Sequence, residues 1–296
     1  MLDFRKLQLS DIHKVRTYFA YSTSKICDNT VGGAFMWRDF FSVEFAEYNR
    51  TIIFKAQVKY HRNITAFSMP LGEDLHGSIN EIVEYCRASR IPVAFFTVTK
   101  EDIEILQEVF PESRVFKEAD WSDYIYTPKD LVTLAGRKFS GQRNHINYFN
   151  RTYRNNSFEE LAGGNIAQAR DFFARLSAET NTDTDVFVEE HLKTLEVLEN
   201  YDTYGLLGGM LKVGGSVVAF SIGEIINNVL YVHIEKADPR YRGAFQAINN
   251  EFAKHYASSG VEFINREEDL GDEGLRISKI SYHPYEIIDK YVFLVV

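Results

Sequence analysis

The stretch YGLLGGMLKVGGSVVAFSIGEIINNVLYVHIEKAD, Tyr204–Asp238, holds the key to the fold. Its apolar runs read as strands, separated by turn residues at Gly214-Gly215 and at Asn227-Asn228. Paired asparagines suit a two-residue hairpin, because both central residues of such a turn need positive φ. Beyond it, GAFQAINNEFAKHYASSG (243–260) places Phe245, Ile248, Phe252 and Tyr256 at helical spacing, with Gly260 set to stop the helix. VEFIN then reads as a buried strand, DEGLRISKI as a short helix and DKYVFLVV as a last strand.

Working outward, the first half repeats this order. TIIFKAQV and NITAFSM are strand-like, and SINEIVEYCRAS carries Ile79, Ile82, Val83 and Cys86 at core spacing. IPVAFFTVT is a strand, DIEILQEVF a helix and DYIYT a short strand. An earlier helix starts near Ser10, with Ile12, Val15 and Phe19 on one face. Helix and following strand are similarly spaced in both halves: 14 residues from Ile79 to Val93 and 16 from Phe245 to Val261. Residue identity between the halves is negligible, so the repeat is architectural. Two α+β domains of like topology follow, residues 1–127 and 156–296, joined by a helical connector at 128–155.

Composition sets further bounds. In 296 residues, 45% apolar with 17 Tyr and 23 Phe, there is ample material for sizeable cores. Cys27 and Cys86 lie far apart and fit no metal-ligand spacing, so they read as small buried thiols, and no metal site is expected. The start lacks the apolar core of a signal peptide, and no run approaches the ~18 apolar residues of a membrane span. A soluble cytoplasmic protein is expected. The net charge of −9 argues against wholesale nucleic-acid binding. Yet residues 129–154 hold six Lys/Arg against the single acid Asp130. That basic patch fits RNA, coenzyme A or lipid phosphates, or equally a helix packed against acidic domains.

Three stretches bear on chemistry. In HIEKADPRYRGAFQAIN (233–249) a strand meets a helix N-terminus flanked by Arg240 and Arg242, a setting for a pyrophosphate or oxyanion, or else an ordinary helix start with solvated arginines. If no bulge interrupts the hairpin, Glu224 faces Tyr231 and Ile222 faces His233, and Tyr231, His233 and Glu235 share one face. Gly223 is the place where a bulge would break that register. INREEDLGDEGLRISKISYHP (264–284) sets five acids among Arg266, Arg276 and Lys279. By residue type alone this is an exposed acidic loop or the edge of a site with a carboxylate base and a lysine. HExxH, CxxC, GxSxG and GxGxxG are all absent, and GMLKVGGS (209–216) has Gly215 where a phosphate loop needs lysine.

GRKFSGQRNHINYF (136–149) followed by INREEDLGDEGLRISKISYHP, with MPLG at Met69 and DWSDYIY at Asp120, resembles the family named after the C-terminal domain of phosphatidylglycerol lysyltransferase. The resemblance covers nearly the whole chain and does not include that family's membrane-embedded half, so action on a bilayer lipid is not expected. It implies two tandem acetyltransferase-like (GNAT-type) domains, each a mixed, mostly antiparallel sheet flanked by helices. It implies transfer of an acyl or aminoacyl group, from aminoacyl-tRNA or acyl-CoA, to an amine or hydroxyl of a small molecule or lipid headgroup, without a tightly bound cofactor. Lys279 falls on the family's Lys-x-x-aromatic-x-Pro pattern as oxyanion stabiliser, and Glu267 on its later glutamate as general base. His233 and Lys236 fall near its acid and basic residue, so the acid is not kept. Arg240, Arg242, Gly243 and Ala244 match an acetyltransferase pyrophosphate loop until Phe245, which is expected to crowd it. Arg137, Lys138 and Arg143 are candidate tRNA contacts. The alternatives are a catalytically silent ligand-binding protein of the same fold and an RNA-binding module.

Overall fold

The structure, a computed structural model, describes residues 2–58, 64–179, 184–257 and 260–296. Asn63, Ser258 and Ser259, placed above in a strand and at a helix end, lie outside the described residues.

In chain order the first half contains β1 (Arg5–Lys6), α1 (Ile12–Phe19), α2 (Val31–Met36), β2 (Glu44–Tyr48), β3 (Thr51–Val58), β4 (Ile64–Phe67) and β5 (Leu71–Gly72). There follow α3 (Leu75–Ser89), β6 (Ala94–Val98), α4 (Lys100–Val109) and the long β7 (Ser113–Tyr126). The basic connector is two helices, α5 (Pro128–Thr133) and α6 (Ser140–Thr152). They are parted where Leu134 and Gly136 take positive φ. Next come β8 (Asn156–Glu160), α7 (Ile166–Ala178), α8 (Asp185–Glu199), α9 (Tyr201–Tyr204), β9 (Leu207–Val213), β10 (Ser216–Ile226) and β11 (Val229–Ala237). The chain closes with α10 (Ala244–Tyr256), β12 (Phe263–Asn265), α11 (Glu273–Ser281) and β13 (Glu286–Val295).

Contacts divide the chain into two units, and the division is not the linear one expected from the repeat. Unit 1 is Met1–Asp123, Glu268–Asp272 and Ile287–Val296; unit 2 is Tyr124–Glu267 and Glu273–Glu286. Unit 1 therefore takes β13 from the far end of the chain. There β13 runs antiparallel to β6, Phe293 opposite Phe95, in the strand order β1-β2-β3-β4-β6-β13-β7. Ile79, Ile82 and Cys86 of α3 and Leu106 of α4 seal Phe67, Phe95 and Phe293 in one core. The α3 spacing read from the sequence made that face. The connector is no separate piece: α5 and α6 belong to unit 2 and pack on α10 through Leu131, Leu134, Phe139, Ile146 and Phe252.

In unit 2, β8 to β11 form an antiparallel meander, and β11 then pairs in parallel with β12. A parallel pair needs a crossover, which α10 supplies. The end of β7 covers the other side of β12, Ile125 opposite Asn265. Helix α10 lies on one face of this sheet, with Ala244, Ala247 and Ile248 against Ala219 and Ala237. On the opposite face, Phe172 and Phe173 of α7 meet Phe220 edge-on.

Candidate active site

The β10–β11 hairpin turns at Asn227 and Asn228, both left-handed with φ of 46° and 65°. From the turn the pairing runs as the two-residue loop dictates, Glu224 opposite Tyr231. It then shifts: Gly223 faces Val232, Ile222 faces Ile234, and His233 is the extra residue of a bulge. A Cβ on Gly223 would lie 2.0 Å from the Tyr231 carbonyl oxygen, so only glycine permits the approach. The bulge corrects the expectation that Tyr231, His233 and Glu235 share a face. Tyr231 and His233 do, their rings parallel with centroids 6.4 Å apart. Glu235 is turned to the α10 side, where its carboxylate accepts from Asn249 (3.1 Å) and Arg266 (3.0 Å).

His233 sits between two carboxylates. Its Nδ1 is 2.6 Å from Glu267 Oε1 and its Nε2 2.9 Å from Glu224 Oε1, with 1% of the side chain exposed. Burial works against the imidazolium, but Glu267 and Glu224 more than offset it and push His233 up to about 10. The ring is thus a fixed cation at neutral pH. Glu267 itself has φ of 59°, an unfavourable angle for a non-glycine residue, and its N–H donates to the buried Asn265 side chain at 2.6 Å. Lys279, on the inner side of α11, donates to the carbonyls of Arg266 (2.6 Å) and Glu267 (3.0 Å). Arg266 in turn stacks on Tyr282 (4.9 Å) and pairs with Glu235. The strained turn is therefore pinned from three sides, and Glu267 presents an 18% exposed carboxylate whose Oε2 carries no hydrogen bond among the described residues.

Thus His233, Glu267 and Lys279 of the expected set come together. Lys236 is on the same face as Phe220, its cross-strand partner, and pairs with Glu190 of α8 at 2.5 Å. The donor loop is more closed than expected. Arg240 is bound by Asp238 through Nε and Nη2, and by Glu179 through Nη1. Arg242 lies over the Tyr148 ring at 4.7 Å. Gly243 caps α10 at φ 92°, and a Cβ there would lie 2.4 Å from the His145 carbonyl oxygen of α6. Ala244 is buried at the helix start, while Phe245 is 44% exposed. Among the tRNA candidates, Arg143 donates to the carbonyls of Leu134 and Gly136 and so holds the α5–α6 turn. Lys138 pairs with Asp130 at 3.2 Å, and Arg137 is exposed.

Sequence reasoning assigned no site role to Glu224 or Arg266, and it set Glu235 on the His233 face, whereas its carboxylate meets Asn249 and Arg266. The hairpin register pointed to Glu224 directly, as the partner of Tyr231. It also missed a second charged cluster, in unit 1. Lys290, 1% exposed, reaches Asp28 (2.6 Å), Asp123 (3.0 Å) and Glu268 (3.4 Å), and donates to Cys27 Sγ (3.3 Å). The donor atoms of Cys27, Asp123 and Glu268 lie within 4.8 Å of one another, a spacing that suits a cation, and the Lys290 ammonium stands among them.

The chain has a mixed α+β fold, a large mixed sheet flanked by helices. The family described as phosphatidylglycerol lysyltransferase, C-terminal, matches residues 19–294, and the chain belongs to it. The crystal structure of a conserved protein of unknown function from Bacteroides thetaiotaomicron VPI-5482 is 31% identical, covers 100% of both chains and superposes with a TM-score of 0.92. The C-terminal domain of a putative lysylphosphatidylglycerol synthetase from Agrobacterium fabrum (15% identity, 98% of this chain and 92% of that one, TM-score 0.70) shares the fold. So does L-PGS from Bacillus licheniformis (16% identity, 95% and 91%, TM-score 0.66). An uncharacterized protein of Mycoplasmoides gallisepticum, MYCGA3080, is 22% identical over 216 residues, 67% of this chain and 60% of that relative's length. Among the described residues, no helix is long and apolar enough to cross a membrane.

Proposed function

We propose that this protein is a cytoplasmic aminoacyl- or acyltransferase whose general base is Glu267. The observation that carries the reading is the buried His233–Glu267 pair, one carboxylate oxygen held by an imidazolium and the other left open. An acceptor amine or hydroxyl gives its proton to Glu267 Oε2 as it attacks the ester or thioester carbonyl of the donor. The C–O or C–S bond then breaks from the tetrahedral adduct, and the proton passes from Glu267 to the leaving oxygen or sulfur. His233 stays protonated throughout and keeps the carboxylate in place. Lys279 takes the oxyanion role by exchanging one backbone carbonyl for the substrate's. Aminoacyl-tRNA and acyl-CoA are the two donor classes, and the acceptor is a small molecule or a lipid headgroup.

The test is transfer of labelled amino acid from charged tRNA, or labelled acetyl from acetyl-CoA, to a panel of amines and hydroxyl compounds. Product formation that disappears in Glu267→Gln supports the proposal; product formation indifferent to that change overturns it. Saturable donor binding with no transfer in either protein supports the silent-binding alternative instead.

A further inference from the structure

The bulge at His233 also acts on the reverse side of the sheet. Tyr231 and the His233 ring lie on one face, but past the bulge Glu235 stands on the α10 face, where unbroken alternation would have left it beside His233. β12 runs parallel to β11, Tyr231 opposite Asn265, so the residues after Asn265 continue alongside the bulge. They divide as well: Arg266 goes to Glu235 and Glu267 to His233. Two successive residues of one turn are thus gripped from opposite faces of one strand, with the charges exchanged. On the His233 side the strand supplies the cation and the turn the carboxylate. On the α10 side the strand supplies the carboxylate and the turn the cation.

The α10 grip is a closed set of contacts. Glu235 Oε2 accepts from the Asn249 amide at 3.1 Å and Oε1 from Arg266 Nη2 at 3.0 Å, so each oxygen has a donor. The Arg266 guanidinium, 9% exposed, lies 4.9 Å from the Tyr282 ring and 5.8 Å from the Tyr126 ring. The Tyr126 hydroxyl donates to the Lys279 carbonyl at 2.8 Å, and Lys279 Nζ donates back to the Arg266 carbonyl at 2.6 Å. Glu267, the next residue, keeps a φ of 59° that persists only where its surroundings over-determine it. Removing the Glu235 charge strands a buried guanidinium, which moves toward water and takes the turn with it.

We propose that Glu235 and Arg266 are positioning residues, which set the place of the Glu267 carboxylate from the far side of the strand that carries His233. The proposal rests on the reading of Glu267 as the base, but its first readout needs no substrate.

The test follows the His233 imidazole by NMR through an alkaline titration of the full chain, its signal identified by its loss in His233→Gln. Wild type is expected to titrate at about 10. In Glu235→Gln the Glu267 carboxylate is drawn off the ring, and the titration point falls by about one to three units, the range set by one nearby opposite charge. Asn249→Ala, a milder release of the same carboxylate, shifts it in the same direction. Lys212→Gln breaks another ion pair of unit 2, with Glu159 at 2.5 Å, and leaves His233 where it was, which separates placement from general loosening. A folded Glu235→Gln or Asn249→Ala protein with the wild-type titration overturns the proposal, and so does an equal fall in Lys212→Gln. In a protein that transfers, Glu235→Gln lowers kcat by up to about 100-fold, the effect of roughly 1 Å of misplacement, with donor and acceptor KM unchanged. A shifted His233 in a protein that transfers nothing removes the transfer reading and leaves the placement standing. Transfer lost in Glu267→Gln but unchanged in Glu235→Gln removes the placement alone.

Discussion

Glu267 and Glu268 are adjacent in the chain, yet each serves a different buried cation. Glu267 meets His233 in unit 2, and Glu268 meets Lys290 in unit 1. The surroundings then part ways. In unit 1 the partners are shared: Glu268 Oε2 takes the Cys27 thiol and Lys290, while Asp123 takes the Cys27 N–H through one oxygen and Lys290 through the other. In unit 2 one carboxylate oxygen of Glu267 is left over. A buried ammonium shared among three carboxylates and a thiol holds structure together; a carboxylate with an open oxygen has capacity for a substrate. Burial pulls Lys290 toward neutrality, but its acids hold it well above its ordinary value, so it keeps its proton at any working pH. His233, raised to about 10, gives up its proton within reach of alkaline conditions.

The sharpest way to break this contrast is Lys290→Met. Removing one partner of a buried ion cluster strands the others, and a loss of about 3–5 kcal/mol is expected in denaturant unfolding. A loss below about 1 kcal/mol would show that the unit 1 cluster is not structural. Glu267→Gln should do the converse: a folded protein with transfer lowered at least ~100-fold, the range of a lost general base. If Glu268→Gln cut transfer as deeply without unfolding the protein, the assignment of roles to the two neighbours would be wrong.

Alkaline pH offers a milder test. His233 is raised from 6.5 to about 10 on folding, so its contribution to stability is complete below pH 6.5 and drains away as pH rises through 10. Urea midpoints measured from pH 6 to 10 should decline more steeply in wild type than in His233→Gln. Equal slopes would mean the imidazolium is not clamped. The smallest effect belongs to Cys27→Ser, which keeps the backbone hydrogen bond to Asp123 and swaps one weak donor for a stronger one; a change of about 1 kcal/mol or less is expected from thermal melts.

The meander, the crossover helix and the following strand were legible because each rests on local periodicity and turn chemistry: Asn227-Asn228 forced the hairpin, and α10 showed its apolar stripe. The register was legible only up to Gly223. Beyond it, one extra residue sent Glu235 to the opposite face, and nothing in the local pattern marks which strand carries the surplus. Lys290 and Cys27 lie 263 residues apart, so no spacing rule joins them. The exchange of last strands was hidden for a related reason. β13 reads as a buried strand wherever it pairs, and its choice of β6 is a matter of long-range packing.

That exchange has a consequence for biosynthesis. Unit 1 is built mainly from the first 123 residues, but the strand between β6 and β7 is supplied by residues 287–296. Domains ordinarily fold in the order they leave the ribosome. Here the half made first is finished late: β6 waits with an unpaired edge until residues 287–296 have emerged, so a product stalled before them carries an open, aggregation-prone strand edge even though all of the N-terminal half has been made.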